Sequence, residues 1–287
     1  MKKIGFIGIG IMGEAMAGHL LDAGYALTVY NRTKAKAQGL IDRGALWCDT
    51  AGDCAKNQDI VITIVGYPKD VEEVYLGTEG ILANAKKGAY VLDMTTSSPI
   101  LAKKIYDTAK EKGIYAIDAP VTGGDTGAKT ATLSIMVGGE EAAIEAVRPV
   151  LEKIGTTIVH AGSAGAGQKT KMCNQIAIAG ALAGACEALS YAKASGLDVK
   201  KTLTAIAGGA AGSFQLSNVA AKGLQDDFNP GFMLKHFIKD LQISYDTGLQ
   251  YELQLPILKQ VLSEAKNLEE KGLGTEGTQS LLKFYKK

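Results

Sequence analysis

The chain has 287 residues and a formal net charge of +1, from 31 basic and 30 acidic side chains. This length is enough for about two domains of roughly 150 residues, and the balanced charge gives no reason to expect a nucleic-acid partner. No apolar run reaches about 18 residues, and the first strand pattern begins directly after Lys3. We therefore expect no membrane span, no signal peptide and a cytoplasmic location.

Cysteine and histidine spacing argues against a metal site. The four cysteines form no CxxC pair, and the three histidines (His19, His160 and His236) lie far apart in the chain. We expect no bound metal and reduced, mostly buried thiols. The cysteines are Cys48, Cys54, Cys173 and Cys186.

The first 33 residues carry the clearest pattern. An apolar run at 4–7 leads into a glycine segment at 8–13, a helical pattern from Glu14 to about Ala23, and a second apolar run at 26–30. This order predicts a strand, a glycine turn, a helix and a strand. A dinucleotide-binding unit has this arrangement, although a glycine turn in another α/β protein remains the alternative.

Each glycine of the GxGxxG segment meets a different structural requirement. Gly8 permits the tight turn, Gly10 lets the backbone approach a pyrophosphate, and Gly13 allows the helix to pack closely on the strand. The first N–H groups of the helix, at Ile11 and Met12, then face the pyrophosphate with the positive end of the helix dipole.

The end of the second strand bears on the choice of cofactor. An acidic residue there would bind both ribose hydroxyls of NAD, but this chain has Asn31, Arg32 and Thr33, with Lys36 one turn later. A guanidinium suits the 2′-phosphate of NADP. We therefore predict a preference for NADP(H), with NAD(H) possible; the alternative is that Arg32 is a solvated surface charge.

Apolar runs and helical patterns alternate over the next 130 residues, which predicts a mostly parallel sheet whose later strands mix directions. The predicted strands are 60–65, 89–93, 115–118, 133–137 and 157–160. The predicted helices are 69–76, 99–112 and 140–154.

The composition changes at the small-residue segment 161–167, after which strand patterns nearly vanish. A long, well-buried helix is predicted at 169–194, because this run is rich in Ala, Ile and Leu. We expect a dinucleotide-binding domain at 1–162 and a helical substrate and dimerisation domain at 163–287. The later predicted helices are 198–207, 213–224, 234–249, 255–271 and 276–286.

Three loops follow predicted strands, at the sheet edge where ligands of parallel sheets bind. The first begins at Val65, next to Gly66, which lets the backbone approach the cofactor closely. The second contains Thr96, whose hydroxyl either binds the cofactor ribose or belongs to a helix cap. The third is Thr122-Gly123-Gly124, where a hydroxyl and several N–H groups suit a substrate carboxylate. The alternative for this last loop is a plain glycine connector.

Hydride transfer to a carbonyl also needs a proton donor, for which His160, His236, Lys171 and Lys239 are candidates. We favour Lys171, which we place in the first turn of the long helix with an apolar run after it. A lysine there needs partners or a lowered pKa, although most single lysines of this kind lie at a surface. Asn174 and Gln175 follow at helical spacing, on the same face.

Four spaced segments resemble the β-hydroxyacid dehydrogenases, which include 3-hydroxyisobutyrate dehydrogenase, tartronate semialdehyde reductase and the glyoxylate/succinic semialdehyde reductases. They are FIGIGIMGEAMAGHL at 6–20, DAPVTGG at 118–124, GAGQKTKMCNQ at 165–175 and FMLKHFIKD at 232–240. The resemblance covers essentially the whole chain. It implies an α/β N-terminal Rossmann domain and an all-α C-terminal domain joined by a long interdomain helix.

The resemblance also implies residue roles. Lys171 is then the general acid and base, Thr122, Gly123 and Gly124 hold the carboxylate, and Asn174 or Gln175 orients the substrate. Asp240 supports the site, and Thr96 and Lys239 lie against the cofactor. Many members have Ser in place of Thr122, and many have Asn in place of Gln175, so both amides remain candidates.

We therefore expect an NADPH-preferring enzyme that interconverts short aldehyde acids and their hydroxy acids. The alternatives are an imine reductase or another reductase of this fold, an NAD-dependent 3-hydroxyisobutyrate dehydrogenase, and a non-catalytic reader module. Lys171 argues against the imine reductase and the reader, which usually lack a lysine there. The long apolar helix predicts a homodimer or homotetramer, because such a helix needs cover on every side.

Overall fold

The computed structural model describes residues 2–285. Its contacts divide the chain into two compact units, one ending at Lys171 and the other beginning at Met172. The division falls inside one continuous helix, and each unit is described separately below. The domain boundary predicted at 162/163 stays a prediction.

The first unit is built on one sheet in the order β3-β2-β1-β4-β5-β6-β8, with β7 and β9 also paired to β8. Strands β1 to β6 pair in parallel, and β8 runs antiparallel to β6 and β7. The strands are β1 (Lys3–Ile7), β2 (Ala26–Tyr30), β3 (Leu46–Trp47), β4 (Ile60–Thr63), β5 (Tyr90–Asp93), β6 (Tyr115–Asp118), β7 (Val121–Thr122), β8 (Leu133–Gly138) and β9 (Gly155–Gly162).

Helices cover both faces of this sheet, and the apolar residues of its strands alternate between two cores. Ile62 and Leu92 belong to one core, whereas Val61 and Val91 belong to the other. Burial on both faces explains the continuous β-branched runs of the central strands. The helices are α1 (Ile11–Asp22), α2 (Gln38–Asp42), α3 (Ala51–Ala55), α4 (Pro68–Leu76), α5 (Ile81–Asn84), α6 (Pro99–Glu111), α7 (Gly124–Lys129) and α8 (Glu141–Leu151), with a 3-10 turn at Lys34–Ala37.

In the described residues of the second unit, 172–285, helices are joined by turns and loops, and Met233 and Gly277 form an isolated antiparallel β-bridge. The core of this unit is formed by buried residues of α9, α12 and α13, including Leu182, Phe237 and Leu262. The helices are α9 (Ala166–Ala194), α10 (Val199–Ala207), α11 (Ala221–Gly223), α12 (Leu234–Gln250), α13 (Pro256–Glu270) and α14 (Leu282–Tyr285), with a π-helical segment at Gln215–Ala220 and a 3-10 turn at Thr278–Leu281.

The main predicted strands and helices are confirmed, with shifts at their ends. The predicted helix 213–224 is instead the π-helical segment followed by α11, and the predicted helix 276–286 is a 3-10 turn followed by α14. Residue 286 lies outside the described residues. The segment patterns missed the short elements β3, β7, α2, α3, α5 and α7, which are two to six residues long.

Helix α9 is long and apolar enough to cross a membrane by length and composition alone, with a mean hydropathy of 1.3 over its most apolar window. Within that window 44% of the residues are buried inside the fold. Buried side chains such as Leu182 and Leu189 carry the core of the second unit. A single helix of this kind is weak evidence for a membrane span, because the core helix of a soluble protein can have the same length and composition.

The four cysteines are all free thiols, but they are less uniformly buried than expected. Cys54 and Cys186 are buried, Cys48 is half-buried, and Cys173 is exposed on α9. The expectation of mostly buried thiols is therefore correct for two of them.

Candidate active site

The glycine segment between β1 and α1 forms a tight turn with open space beside it. Gly8 has a φ of +101°, and a Cβ at this position would lie 2.1 Å from the Ile64 carbonyl oxygen. A Cβ at Gly10 would meet nothing within 4 Å, and no side chain caps α1 at its N-cap, Gly10. The first N–H groups of α1, at Ile11 and Met12, thus border an open surface, which fits a dinucleotide pyrophosphate.

Asn31 holds this glycine segment in place. Its Oδ1 accepts a hydrogen bond from the Ile9 N–H at 3.0 Å, and its Nδ2 donates to the Thr33 carbonyl at 2.9 Å. The side-chain amide therefore ties the end of β2 to the loop after β1. The role in cofactor binding predicted for Asn31 and Thr33 stays a prediction.

Arg32 lies on the surface beside α4, in an ion pair that the sequence pattern did not reveal. Its Nη1 lies 3.1 Å from Asp70 Oδ1, with side chains 77% and 10% exposed. An ion pair this open to solvent contributes roughly 0–1 kcal/mol. Lys36 is also exposed, within the 3-10 turn. Both cations are thus accessible to a phosphate.

The loops after β4 and β5 are joined by a buried network. The Val65 N–H donates to Thr95 Oγ1 at 2.9 Å, and the Thr95 N–H donates to Asp93 Oδ1 at 3.1 Å. Thr63 donates its hydroxyl to the same carboxylate oxygen at 2.9 Å. Thr96 follows in this loop and is half-buried. The predicted positions Val65 and Thr96 therefore belong to one rigidly held edge of the sheet.

Gln168 connects this edge to the start of α9. It is fully buried; its Oε1 accepts from the Ser97 N–H at 2.9 Å, and its Nε2 donates to the Thr95 carbonyl at 2.7 Å. Because the side chain pairs with backbone groups on both sides of Thr96, it fixes the course of that loop. The sequence contained this residue in the GAGQ segment but gave no sign of its partners.

Asp118, the last residue of β6, caps α9. Its Oδ1 accepts from the Gly165 N–H at 2.7 Å, and its Oδ2 accepts from the Gln168 N–H at 2.8 Å. Burial raises the pKa of this carboxyl to about 6, although these hydrogen bonds oppose the shift. The cap lets α9 begin at Ala166. The sequence placed Lys171 in the first helical turn, but it lies in the second, because the helix starts earlier than predicted.

The Thr122-Gly123-Gly124 segment is a turn between β7 and α7. Gly123 and Gly124 have φ values of +128° and +64°, so both adopt the left-handed conformations that favour glycine. Both glycines are exposed, and Thr122 is half-buried. The turn exposes backbone next to a hydroxyl, as the sequence predicted.

Lys171 lies directly against this turn. Its Nζ donates to the Val121 carbonyl oxygen at 2.8 Å, and the residue is 6% exposed. Val121 immediately precedes Thr122, so the structure brings the predicted proton donor to the strand that leads into the predicted carboxylate turn. Val121 and Lys171 both belong to the first unit.

The second unit holds four predicted residues in one chain of contacts. Asn174 Nδ2 donates to Gln175 Oε1 at 2.7 Å, and Gln175 Nε2 donates to Asp240 Oδ2 at 2.8 Å. Lys239 Nζ lies 3.0 Å from Asp240 Oδ1. Gln175 and Asp240 are each 1% exposed, whereas Asn174 is half-buried. The buried pair therefore supports the more accessible amide of Asn174.

The two histidine candidates have other surroundings. His160 Nε2 lies 3.1 Å from the Gly139 carbonyl and 2.9 Å from the Gly162 carbonyl, at the end of β9. His236 lies on α12, where burial, and then the positive charge of Lys239, lowers its pKa. Neither contact set resembles that of Lys171 beside the glycine turn.

Two sequence families match nearly the whole chain. The "NAD binding domain of 6-phosphogluconate dehydrogenase" matches residues 3–162, and the "NAD-binding of NADP-dependent 3-hydroxyisobutyrate dehydrogenase" domain matches residues 165–285. The chain belongs to the β-hydroxyacid dehydrogenase family. It is accordingly an NAD(P)-dependent oxidoreductase with a Rossmann-type first domain and a helical second domain.

Full-length relatives support this membership. The chain is 51% identical over 286 residues to an uncharacterized oxidoreductase, YkwC, of Bacillus subtilis, covering 100% of this chain and 99% of the relative. It is 38% identical over 254 residues to 2-hydroxy-3-oxopropionate reductase of Escherichia coli, covering 88% and 87%. It is 36% identical over 282 residues to an NAD-dependent L-serine dehydrogenase of Pseudomonas aeruginosa, covering 95% and 94%.

Solved structures share the fold of this β-hydroxyacid dehydrogenase. The 3-hydroxyisobutyrate dehydrogenase of Mycobacterium tuberculosis, solved with L-serine, superposes with a TM-score of 0.91 at 28% identity and full coverage of both chains. An imine reductase of Myxococcus stipitatus, solved with NADP+, gives a TM-score of 0.67 at 24% identity, covering 99% of this chain and 100% of the reductase. The similarity to the imine reductase shows a shared fold alone, because the sequence identity is only 24%.

Proposed function

We propose that this dehydrogenase interconverts short aldehyde acids and their hydroxy acids, prefers NADPH, and uses Lys171 as its general acid and base. The observation that carries the proposal is the 2.8 Å hydrogen bond from Lys171 Nζ to the Val121 carbonyl. It fixes the buried side-chain nitrogen of Lys171 beside the Thr122 turn, so one substrate molecule can meet both groups. The relative named 2-hydroxy-3-oxopropionate reductase supports an aldehyde acid as substrate.

The Thr122 turn binds the substrate carboxylate in this proposal. Thr122 donates its hydroxyl, and the exposed backbone at Gly123 and Gly124 adds N–H donors. Both glycines have positive φ values, so the turn adopts a conformation that L-residues rarely take, and its exposed backbone is accessible to a ligand. Carboxylates are bound strongly by several convergent N–H groups.

Lys171 moves the proton. When bound, the nicotinamide supplies the hydride in reduction and accepts it in oxidation. The Lys171 ammonium donates a proton to the carbonyl oxygen as the carbonyl carbon is reduced, and the neutral amine takes the proton back from the hydroxyl in oxidation. The Val121 carbonyl orients Nζ, because one of its three N–H bonds is directed there.

The amides of the second unit orient the substrate. Asn174 is the substrate-facing amide in this proposal, because it is the more exposed of the two. Gln175 and Asp240 act as positioning residues through the hydrogen bonds that hold Asn174.

The cofactor is held by four groups of residues. The glycine segment 8–13, with the N–H groups of Ile11 and Met12, binds the pyrophosphate, and Val65, Thr96 and Lys239 lie along the rest of the cofactor. Asn31 and Thr33 border the adenosine ribose. Arg32 and Lys36 bind the 2′-phosphate, since both side chains are exposed cations at the end of β2.

The test is a rate measurement with the purified protein, NADPH or NADH, and a panel of glyoxylate, succinic semialdehyde, tartronate semialdehyde and methylmalonate semialdehyde. We expect turnover with at least one aldehyde acid and a higher kcat/KM for NADPH. Lys171→Ala should reduce kcat by at least about 100-fold while NADPH still binds. Lys169→Ala, an exposed lysine on the same helix, is the matched control and should retain activity.

The panel also separates the rival functions. Near-full turnover by Lys171→Ala would refute the proton-transfer role, and a higher kcat/KM for NADH would refute the cofactor preference. NADPH binding without turnover of any aldehyde acid would favour an imine substrate. Oxidation of L-serine with NAD+ is a second candidate activity, because one relative is named for it and a solved relative holds L-serine.

The assembly and location complete the proposal. We expect a cytoplasmic homodimer or homotetramer. Only 44% of the residues in the most apolar window of α9 are buried within one chain, so we expect a second copy to cover the remaining apolar residues of this helix. Sedimentation at micromolar concentration should show no monomer. A monomer at that concentration would contradict the predicted assembly.

A further inference from the structure

The ion pair between Arg32 and Asp70 joins two separate segments at one edge of the sheet. Arg32 lies two residues after β2, and Asp70 lies in α4, which follows β4. Strand β1 lies between β2 and β4, and the glycine segment 8–13 begins where β1 ends. The pair therefore connects the segments that follow the two strands beside β1, at the edge where ligands of parallel sheets bind.

Two features besides the ion pair hold the Asp70 carboxylate in place. Its Oδ2 accepts a hydrogen bond from the Tyr67 N–H at 3.0 Å, as the third helical residue does in a capping box. The same oxygen lies against the Gly66 backbone, since a Cβ at that position would lie 3.0 Å from it. Asp70 is also buried. Its carboxylate is therefore fixed at the loop that contains Val65, a residue of the proposed cofactor site.

Arg32 is far more exposed than its partner. Its side chain is 77% exposed, against 10% for Asp70, and its Nη1 donates to Asp70 Oδ1 at 3.1 Å. An exposed guanidinium can turn toward another anion, whereas a buried carboxylate held by a helix cap cannot follow it. A phosphate bound to Arg32 therefore either displaces Asp70 or lies close to a second negative charge. Both outcomes weaken phosphate binding.

We propose that Asp70 is a specificity-determining residue that opposes the NADPH preference set by Arg32 and so keeps NADH usable. This role of Asp70 rests on the proposed binding of the 2′-phosphate by Arg32. NADH has a hydroxyl in place of that phosphate, so the ion pair persists when NADH binds. NADPH binding instead disrupts the pair.

The size of the effect follows from the exposure of the ion pair. A pair this open to solvent is weak, and its loss corresponds to at most about a 5-fold change in an equilibrium constant. Neutralising Asp70 should therefore lower the Kd for NADPH by about 3- to 5-fold and leave the Kd for NADH within about 2-fold. This change is opposite in sign to that of Arg32→Ala, which should weaken NADPH binding.

The experiment measures the Kd of the full-length protein for NADPH and for NADH by isothermal titration calorimetry, with no substrate present. Asp70→Asn and Asp70→Gln keep an oxygen acceptor for the Tyr67 N–H but carry no charge, so both should tighten NADPH binding. Asp70→Glu keeps the charge and should bind both cofactors within about 2-fold of the wild type. Because Gln and Glu both serve at this position of capping boxes, they form a matched pair that differs in charge.

Glu72→Gln is the control for a charge lost elsewhere on α4. Glu72 Oε1 lies 2.7 Å from Lys104 Nζ, in an ion pair whose two side chains are more than half exposed. Its loss should change neither Kd by more than about 2-fold, because Glu72 is not paired with Arg32. Urea unfolding of each variant verifies that it is folded.

The double variant Arg32→Ala/Asp70→Asn tests whether Asp70 acts through Arg32. In the Arg32→Ala background, Asp70→Asn should change the Kd for NADPH by less than about 2-fold, because the cation for which carboxylate and phosphate compete is gone. The proposal is overturned if the two neutral variants leave NADPH binding unchanged, if Asp70→Glu tightens it as they do, or if the gain persists without Arg32.

The same titrations separate the role of Asp70 from the proposed role of Arg32. If Arg32→Ala leaves the Kd for NADPH unchanged, the phosphate role of Arg32 is refuted, and the role of Asp70 with it. If Arg32→Ala weakens NADPH binding but the neutral Asp70 variants do not tighten it, the role of Asp70 alone is refuted.

Discussion

Gly13 packs so closely on Gly8 that a Cβ at position 13 would lie 1.9 Å from the Gly8 carbonyl oxygen. The first turn of α1 thus rests on the backbone of the loop that precedes it. Gly10 lies between them in the chain, yet a Cβ there would meet nothing within 4 Å. Gly13 is therefore required by the fold, whereas Gly10 leaves room for a ligand.

This contrast predicts different failures for two alanine variants. Gly13→Ala should lower the free energy of unfolding by about 3 kcal/mol, because the backbone must move to admit the methyl group. Gly10→Ala should cost less than about 1 kcal/mol, as expected at a helix N-cap with a φ of −102°. It should nevertheless raise the Kd for NADPH by at least about 10-fold. Urea unfolding and cofactor titration measure the two quantities, and equal stability losses would contradict this assignment.

The ion pair of Arg32 with Asp70 sets up a prediction on cofactor preference. Because the pair is open to solvent, the 2′-phosphate can replace Asp70 as the partner of the guanidinium at little cost. Arg32→Ala should raise the KM for NADPH by roughly 10-fold and leave the KM for NADH nearly unchanged.

Arg43→Ala is the matched control for this change. Arg43 is also partly exposed, and its Nη2 lies 2.7 Å from an aspartate, Asp22. We expect no change in either KM, because Arg43 lies away from the end of β2. Steady-state kinetics with both cofactors test the pair of variants, and a parallel rise of both KM values in Arg32→Ala would refute the phosphate role.

The first α/β unit could be predicted well because its signals are local. The runs at 4–7, 26–30 and 115–118 are short and β-branched or apolar, and glycine or helical patterns bound them. Burial on both faces of a parallel sheet leaves this pattern in the sequence. Short elements such as β3 and α7 lack it, because two to six residues show too little periodicity.

The candidate site could be predicted only where backbone chemistry dictates the residue type. Gly8, Gly13 and Gly123 are required by a close approach or a positive φ, and the glycine spacing revealed them. The partners of Gln168 and Asp118 depend on contacts 47 to 73 residues apart in the chain. No local pattern encodes such a pairing, so these positioning residues appeared only in the structure.

The buried carboxyl of Asp93 predicts how stability depends on pH. Burial raises its pKa to about 6, against 3.8 as the ordinary value. Between these values the native state holds a proton that the unfolded state has released, so the free energy of unfolding falls as pH rises from about 4 to 6. This loss amounts to about 3 kcal/mol for one such carboxyl. Its contribution becomes constant about one pH unit above the native pKa, near pH 7.

Asp93→Asn should flatten this dependence. Asparagine Oδ1 keeps both hydrogen bonds, from Thr63 and Thr95, and no longer ionises. We expect equal or higher stability at pH 7.5 and a smaller slope between pH 4 and 6.5, measured by urea unfolding. An unchanged slope would show that Asp93 does not titrate in this range.

Asp118→Asn is the contrasting variant. Its pKa is also raised to about 6, but its two oxygens accept separate N–H groups at the start of α9. An asparagine would turn an NH2 group toward one of those donors. We expect a stability loss of about 2–3 kcal/mol at pH 7.5, where Asp93→Asn loses none. Equal effects of the two variants would contradict the capping role.

The last prediction separates the two neighbouring amides of α9. Gln175 is buried and holds Asp240 at 2.8 Å, so Gln175→Ala leaves a buried carboxylate oxygen without that donor. It should cost about 2–3 kcal/mol of stability. Asn174 is half-buried, so Asn174→Ala should cost less than about 1 kcal/mol and instead raise the KM for the aldehyde acid by at least about 10-fold, because a substrate hydrogen bond is lost. Thermal unfolding and steady-state kinetics on both variants give the answer. If Asn174→Ala leaves KM unchanged while a less destabilising Gln175→Asn raises it, Gln175 is the amide that faces the substrate.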